Sequence, residues 1–214
     1  MISASAPFAT ALALALLAGG DRPAKPPFFP PSFADRAWIC DLGNGEKSVP
    51  IAIVDESDSQ FFSSHLRAAG ERSLYQASLQ PRAPGDETLR LTWLRSFHAP
   101  MTVRIEMHGG KARLYARQLS GKGGYGPGEV ARSIERPLAA GELASLRARL
   151  AATHIFDTQA PACEIVIDGS IWILERVDAH GYQYAERRSP EGGELYDLGL
   201  GLLGLTHWDL KPLY

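Results

Sequence analysis

The chain has 214 residues, a formal charge of −2 and 45% apolar residues. That length supports a domain with a proper core, and the apolar content excludes a disordered chain. Near-neutrality removes any global drive toward nucleic acid or an anionic membrane, so no nucleic-acid partner is expected.

Residues 1–20 read as an export signal. Ala9 to Ala18 is an Ala/Leu run of the right length for a signal core and short for a bilayer span. Ala18, Gly19 and Gly20 are the small residues a signal peptidase reads, although no Lys or Arg precedes the run. No Cys follows, so a lipid anchor is not expected. The mature protein should be periplasmic or secreted and should not span a membrane.

Residues 21–36 are proline-dense, which favours extended polyproline geometry. They read as an arm outside the core, with Phe28, Phe29 and Phe33 pinning it to the surface of the body, residues 37–214. Ala37 to Cys40 and Val49 to Val54 are short apolar runs, the second favouring strand. Ser57 to Gly70 has helical spacing of Phe61, Phe62, Leu66 and Ala69, with Ser57 and Gln60 as a capping box and Gly70 as the stop. His65 falls on the same face.

Leu89 to Leu94 begins a sheet. Met101, Val103, Ile105 and Met107 alternate with polar residues, predicting a half-buried strand with one apolar face. His108 to Lys111 makes the turn and Ala112 to Leu119 returns. Residues 121–128 form a glycine-rich loop with Tyr125 at its tip. It turns sharply between strands, or else offers backbone N–H groups to a phosphate; it lacks both the Walker A and the dinucleotide patterns. Val130 to Arg136 reads as strand. Ala139 to Ala152 is a helix with a Leu143, Leu146, Leu150 stripe.

From Cys163 to Arg188 the pattern predicts three antiparallel strands. Asp168-Gly169 between β-branched runs is a hairpin signal, and Asp178 to Gly181 is a second turn. The register pairs Ile165 with Trp172, Cys163 with Leu174, Leu174 with Ala185 and Trp172 with Arg187. One face then carries Cys163, Ile165, Trp172, Leu174 and Ala185 as core. The other carries Ile173, Glu175, Tyr184 and Glu186 as a solvated, salt-bridged surface. Leu195 to Leu205 is apolar but holds three glycines, a marginal helix that packing must dock.

The fold expected is α+β: a mostly antiparallel, twisted sheet with two or three packed helices. Charge is uneven, with nine Lys or Arg against four acids between Glu87 and Arg136, and ten acids against four bases after His154. The two segments should attract each other; the functional alternative is a basic face for an anionic ligand. The only cysteines, Cys40 and Cys163, exclude a four-cysteine zinc site and in an oxidising compartment should form a disulfide.

No catalytic motif stands out. Six scattered histidines give no metal spacing, there is no Gly-x-Ser-x-Gly, and no metal or cofactor is expected. The residues singled out for ligand contact are Tyr125, His98, Trp172, Glu175, Tyr184, Glu186 and Arg188. They suit a non-catalytic binding module or an inhibitor-type protein, whose ligand is an anionic small molecule, an envelope polymer or another protein. The competing reading is an envelope-polymer hydrolase using Glu175 and Glu186 as paired carboxylates.

Four stretches, Arg95-Ser-Phe-His-Ala-Pro, Gly121-Lys-Gly-Gly-Tyr-Gly-Pro-Gly, Asp168-Gly-Ser-Ile-Trp-Ile-Leu-Glu and Arg187-Arg-Ser-Pro-Glu, resemble a family of exported bacterial proteins of unknown function. The resemblance spans roughly Leu89 to Leu205. It implies bacterial export and one domain, and it brings no activity with it.

Overall fold

The computed structural model describes residues 26–43, 45–157, 160–164 and 166–214. The export signal, the first part of the Pro-rich arm and the pairing of Ile165 lie outside the described residues. In chain order the elements are α1 (Ser32–Asp35), β1 (Ala37–Trp38), β2 (Asp41–Gly43), β3 (Glu46–Lys47), β4 (Ile51–Ala52), α2 (Glu56–Ala68), α3 (Leu74–Ser78), β5 (Glu87–Arg95), β6 (Met101–His108), β7 (Lys111–Leu119), β8 (Val130–Pro137), α4 (Ala140–Ala152), β9 (Ser170–Asp178), β10 (Gly181–Arg188) and α5 (Glu194–Gly204). The fold is α+β. Six antiparallel strands run in the order β10-β9-β5-β6-β7-β8, and β1 with β4 and β2 with β3 make two small ribbons.

Alternation along the central strands fixes which side chains go where. Leu89, Leu91 and Trp93 of β5, Met101, Val103 and Ile105 of β6, and Trp172 and Leu174 of β9 point to one face. There they meet Leu143, Leu146 and Leu150 of α4 and Leu195, Leu198 and Leu202 of α5. Trp93 lies opposite Trp172 in the register, and their rings pack with centroids 5.2 Å apart. The predicted pairings Leu174 with Ala185 and Trp172 with Arg187 are those of the β9–β10 hairpin.

The opposite face is not solvated, which corrects the expectation of a wet sheet surface. Ile173 and Tyr184 are buried there with Phe62 and Leu66 of α2, Ile53 and Val54 after β4, and Phe28, Phe29 and Phe33. The three phenylalanines of the Pro-rich arm are therefore core, while the residues between them stay largely exposed. Its phenylalanines cover the hydroxyphenyl ring of Tyr184, with Phe29 and Phe33 centroids 5.8 and 5.4 Å away in edge-on contact. The β6 strand is buried on both faces from Met101 to Ile105, and Glu71, in the segment after α2, accepts from Arg104 Nε at 2.8 Å.

The first hairpin of the predicted ribbon does not form. The edge of β9 that residues 163–167 were expected to occupy is taken by β5, from Thr88 opposite Val177 to Arg95 opposite Ser170. Cys163 is not on a strand; it forms the expected disulfide with Cys40, 123 residues away, with a Cα–Cα separation of 5.6 Å. Helix α2 also begins differently from expectation. Asp55 is its cap, accepting the Asp58 N–H at 2.8 Å, in place of the Ser57 box. Among the described residues no helix is long and apolar enough to cross a membrane.

Candidate functional site

The Asp168-Gly169 turn, lacking a hairpin partner, is knitted to two other segments. The Ser96 N–H donates to the Gly169 carbonyl at 2.8 Å, and the Gly169 N–H donates to Ser96 Oγ at 3.1 Å. The Ser189 N–H donates to the Ser170 carbonyl at 2.7 Å, and the Ser170 N–H returns a bond to Ser189 Oγ at 3.0 Å. Gly123 and Gly124 of the glycine-rich loop donate to the carbonyls of His98 and Ser96 at 2.9 and 3.1 Å. All four stretches that carried the sequence resemblance thus meet at one end of the sheet.

This accounts for Gly123 and Gly169. A Cβ on Gly123 would stand 2.4 Å from the Arg95 amide nitrogen, and one on Gly169 would stand 2.0 Å from Ser189 Oγ. Both positions need the close approach that only glycine permits. It also takes most of the loop's amides away from the phosphate-cradle alternative. The N–H groups of Gly121, Lys122 and Tyr125 donate to the carbonyls of Pro127, Gly126 and Lys122, so every amide from 121 to 125 is already spent.

Two clefts open beside this junction. The first, of about 230 Å³, lies between Phe61, Ser96, Gly124, Tyr125, Ile167 and Asp168. The second, of about 420 Å³, runs along the disulfide between Leu42, Val49, Ile53, Pro161, Asp58 and Glu186. They adjoin, sharing Val166 and Arg188. Ile167 is 94% exposed, Val49 77% and Tyr125 67%, with Leu42 and Phe97 also open to solvent. Phe97 leans on Tyr125 at 6.2 Å between centroids. Scattered exposed apolar side chains are ordinary; a run of them along adjoining concavities is how docking surfaces look.

Arg188 forms the partition between the clefts. Its Nε donates to Glu186 Oε1 at 3.2 Å and its Nη2 to Asp58 Oδ2 at 3.1 Å, while Tyr184 gives its hydroxyl proton to Glu186 Oε2 at 2.7 Å. Burial pushes the Glu186 carboxyl above the usual range, outweighing Tyr184 and Arg188. Burial likewise raises Asp58, against the pull of Arg188 and with help from Asp55.

Of the residues singled out from sequence, Tyr125, Glu186 and Arg188 line the clefts. His98 stands just behind, its Nδ1 2.7 Å from the Tyr214 hydroxyl. Trp172, Glu175 and Tyr184 are fully buried and offer no surface to a ligand. Glu175 is held by Arg90, with Nη2 to Oε2 at 2.6 Å, and by the Tyr182 hydroxyl at 2.9 Å, so Glu175 and Glu186 belong to separate networks. Glycoside cleavage needs both carboxylates against the sugar, and a sealed Glu175 does not meet that geometry.

The basic segment is largely answered from within the fold. Arg90 pairs with Glu175 in the sense expected of the two segments, while Arg176 and Glu87 pair in the opposite sense; Arg104 and Arg117 turn to Glu71, which sequence reading missed. Asp58, Val49 and Ile167 were missed too. Ile167 had a signal, an apolar residue directly before the Asp-Gly turn; Asp58 looked only like a helix-start acid. Among the described residues no group of three His, Cys, Asp or Glu is placed to hold a metal ion. No family model and no curated protein matches the chain.

Proposed function

We propose that this is an exported, non-catalytic binding module, and that the adjoining clefts between the disulfide and the glycine-rich loop are its docking face. The observation that carries the reading is the line of solvent-facing apolar side chains, Val49, Leu42, Ile167 and Tyr125, set on a frame held by backbone hydrogen bonds. Such a frame presents a surface without losing order on binding, which keeps the entropic cost of association low. The disulfide supports an oxidising compartment, in agreement with the signal-like first twenty residues. The two clefts are open troughs suited to a chain lying across them, which favours another protein over a small anionic ligand.

A photo-crosslinking side chain placed at Ile167, with Leu79 as an exposed apolar site elsewhere, tests this in the exporting cell. A discrete adduct from position 167, absent from position 79 and lost with Val49→Asp, is expected. Identical adduct patterns from both positions would remove the docking face.

A further inference from the structure

We infer that the groove beside the disulfide takes an extended peptide segment of a partner protein that carries a Lys or Arg flanked by apolar residues. This rests on the docking face proposed above and names its occupant. The walls of the groove are apolar: Leu42, Val49, Ile51, Ile53, Pro161 and Val166. Its charged lining is one-sided, with Asp55, Asp58, Glu164 and Glu186 against the single guanidinium of Arg188.

That guanidinium is already divided between Asp58 and Glu186. Asp55 spends an oxygen on capping α2. A neutral apolar occupant would seal the remaining negative charge away from water with no counter-ion, which is costly. An anionic occupant would add repulsion to that. A cation on an aliphatic stem satisfies both halves of the lining, its methylenes against Val49 and Ile51 and its head toward Asp58 and the exposed Glu164. A bare polyamine matches the charge but leaves the apolar walls, and the exposed Val49 and Leu42 at the rim, uncovered.

The test uses three fluorescein-labelled peptides of sequence Gly-Leu-X-Val-X-Leu-Gly, with X as Lys, Glu or Ser, against the disulfide-bonded protein by fluorescence anisotropy. The Lys peptide should bind at least about tenfold tighter than the other two and weaken at high salt, as complementary charge requires. Glu164→Lys, at an exposed site, and Asp58→Asn, at a half-buried one where Arg188 keeps Glu186 as its partner, should each weaken it about tenfold or more while the melting temperature stays within a few degrees. Val49→Lys should do the same from the apolar rim.

Equal binding of the three peptides, or no binding of any, overturns the inference. Spermine competing as well as the Lys peptide would overturn the peptide assignment. Concentration-dependent dimers abolished by Val49→Lys would put a second copy of the chain in the groove instead. An adduct at Ile167 without Lys-peptide binding would leave the docking face standing and sink this assignment of its occupant.

Discussion

The carboxylate of Glu175 and the guanidinium of Arg90 face each other across neighbouring strands, Nη2 to Oε2 at 2.6 Å, and neither side chain has any surface exposed to water. Arg90 also donates to the Arg72 carbonyl at 2.6 Å and lies 3.5 Å from Glu71, and Arg104 pairs with the same Glu71 at 2.8 Å. Two arginines directly opposite each other on β5 and β6 are tolerated because a carboxylate sits over them. Removing one member of such a set strands the rest. Arg90→Met is expected to cost about 3–5 kcal/mol, whereas Arg90→Met with Glu175→Leu should cost less than the sum of the single changes. Urea unfolding of the three variants measures this. Strict additivity would show that the two charges do not share a network.

The glycines of α5 answer to two different causes, and substitution separates them. A Cβ on Gly199 would stand 2.6 Å from Trp172 Cζ3, so the helix can reach the sheet only because that position is bare. On Gly201 the nearest atom is Arg149 Cδ at 3.5 Å, an ordinary contact. Gly199→Ala should destabilise by about 1–3 kcal/mol despite alanine's better helix propensity. Gly201→Ala should stabilise by about 0.5–1 kcal/mol. Thermal melts of the two variants moving in the same direction would refute this account of the helix.

Local signals in the sequence carried the fold far. The alternation of β6, the stripe of α4, the β9–β10 register and the sheet-plus-helices class all follow from periodicity and turn chemistry. What failed was the second face of the sheet. Glu175, Tyr184 and Glu186 alternate with apolar residues as a wet face does, and only the distant Phe28, Phe29, Phe33 and the helix around Phe62 decide otherwise. The same blindness to long-range cover placed Cys163 in a hairpin. An Asp-Gly turn forms locally, but which strand fills the vacant edge depends on β5, and β5 lies more than seventy residues earlier. Of the site, the glycine-rich loop, Tyr125, Glu186, Arg188 and the Cys40–Cys163 bond were visible in the sequence; their meeting with Asp58 and Val49 was not, because it depends on how α2 packs against β10, where Asp58 reaches Arg188.

Closing a loop of 123 residues, the Cys40–Cys163 bond ties the small ribbons beside β4 to the segment that leads into β9. On the chain-entropy view such a closure contributes roughly 3–5 kcal/mol, less where the denatured state keeps structure. The six-stranded sheet does not depend on it for a strand. Cys40→Ala with Cys163→Ala is therefore expected to lower the melting temperature while leaving the sheet intact. Hydrogen exchange should quicken at Leu42 to Ile51 and around Glu164, and stay slow in β5, β6 and β9. Loss of protection across β5 would show that the bond supports the whole sheet.

Acid should act on one surface ion pair in particular. Glu142 accepts two hydrogen bonds from Arg136, at 2.8 and 2.6 Å, and one from the Ala139 N–H at 2.8 Å. The Arg136 bonds first, then the Ala139 bond, hold its carboxyl down to about 2, against a usual 4.5. A folded value below the unfolded one means stability that is complete above pH 4.5 and is lost as pH falls toward 2. Because the pair is near the surface, solvent screening reduces its worth to about 1 kcal/mol. Burial raises Glu175 and Glu186, so their contribution has the opposite sign, present at low pH and lost as pH climbs through their folded values. They partly offset the acid loss and cannot produce it. Glu142→Gln should therefore melt lower than the parent protein at neutral pH, and the gap should close between pH 4.5 and about 2. A gap that persists unchanged at the acid end would assign the loss of stability to some other carboxylate.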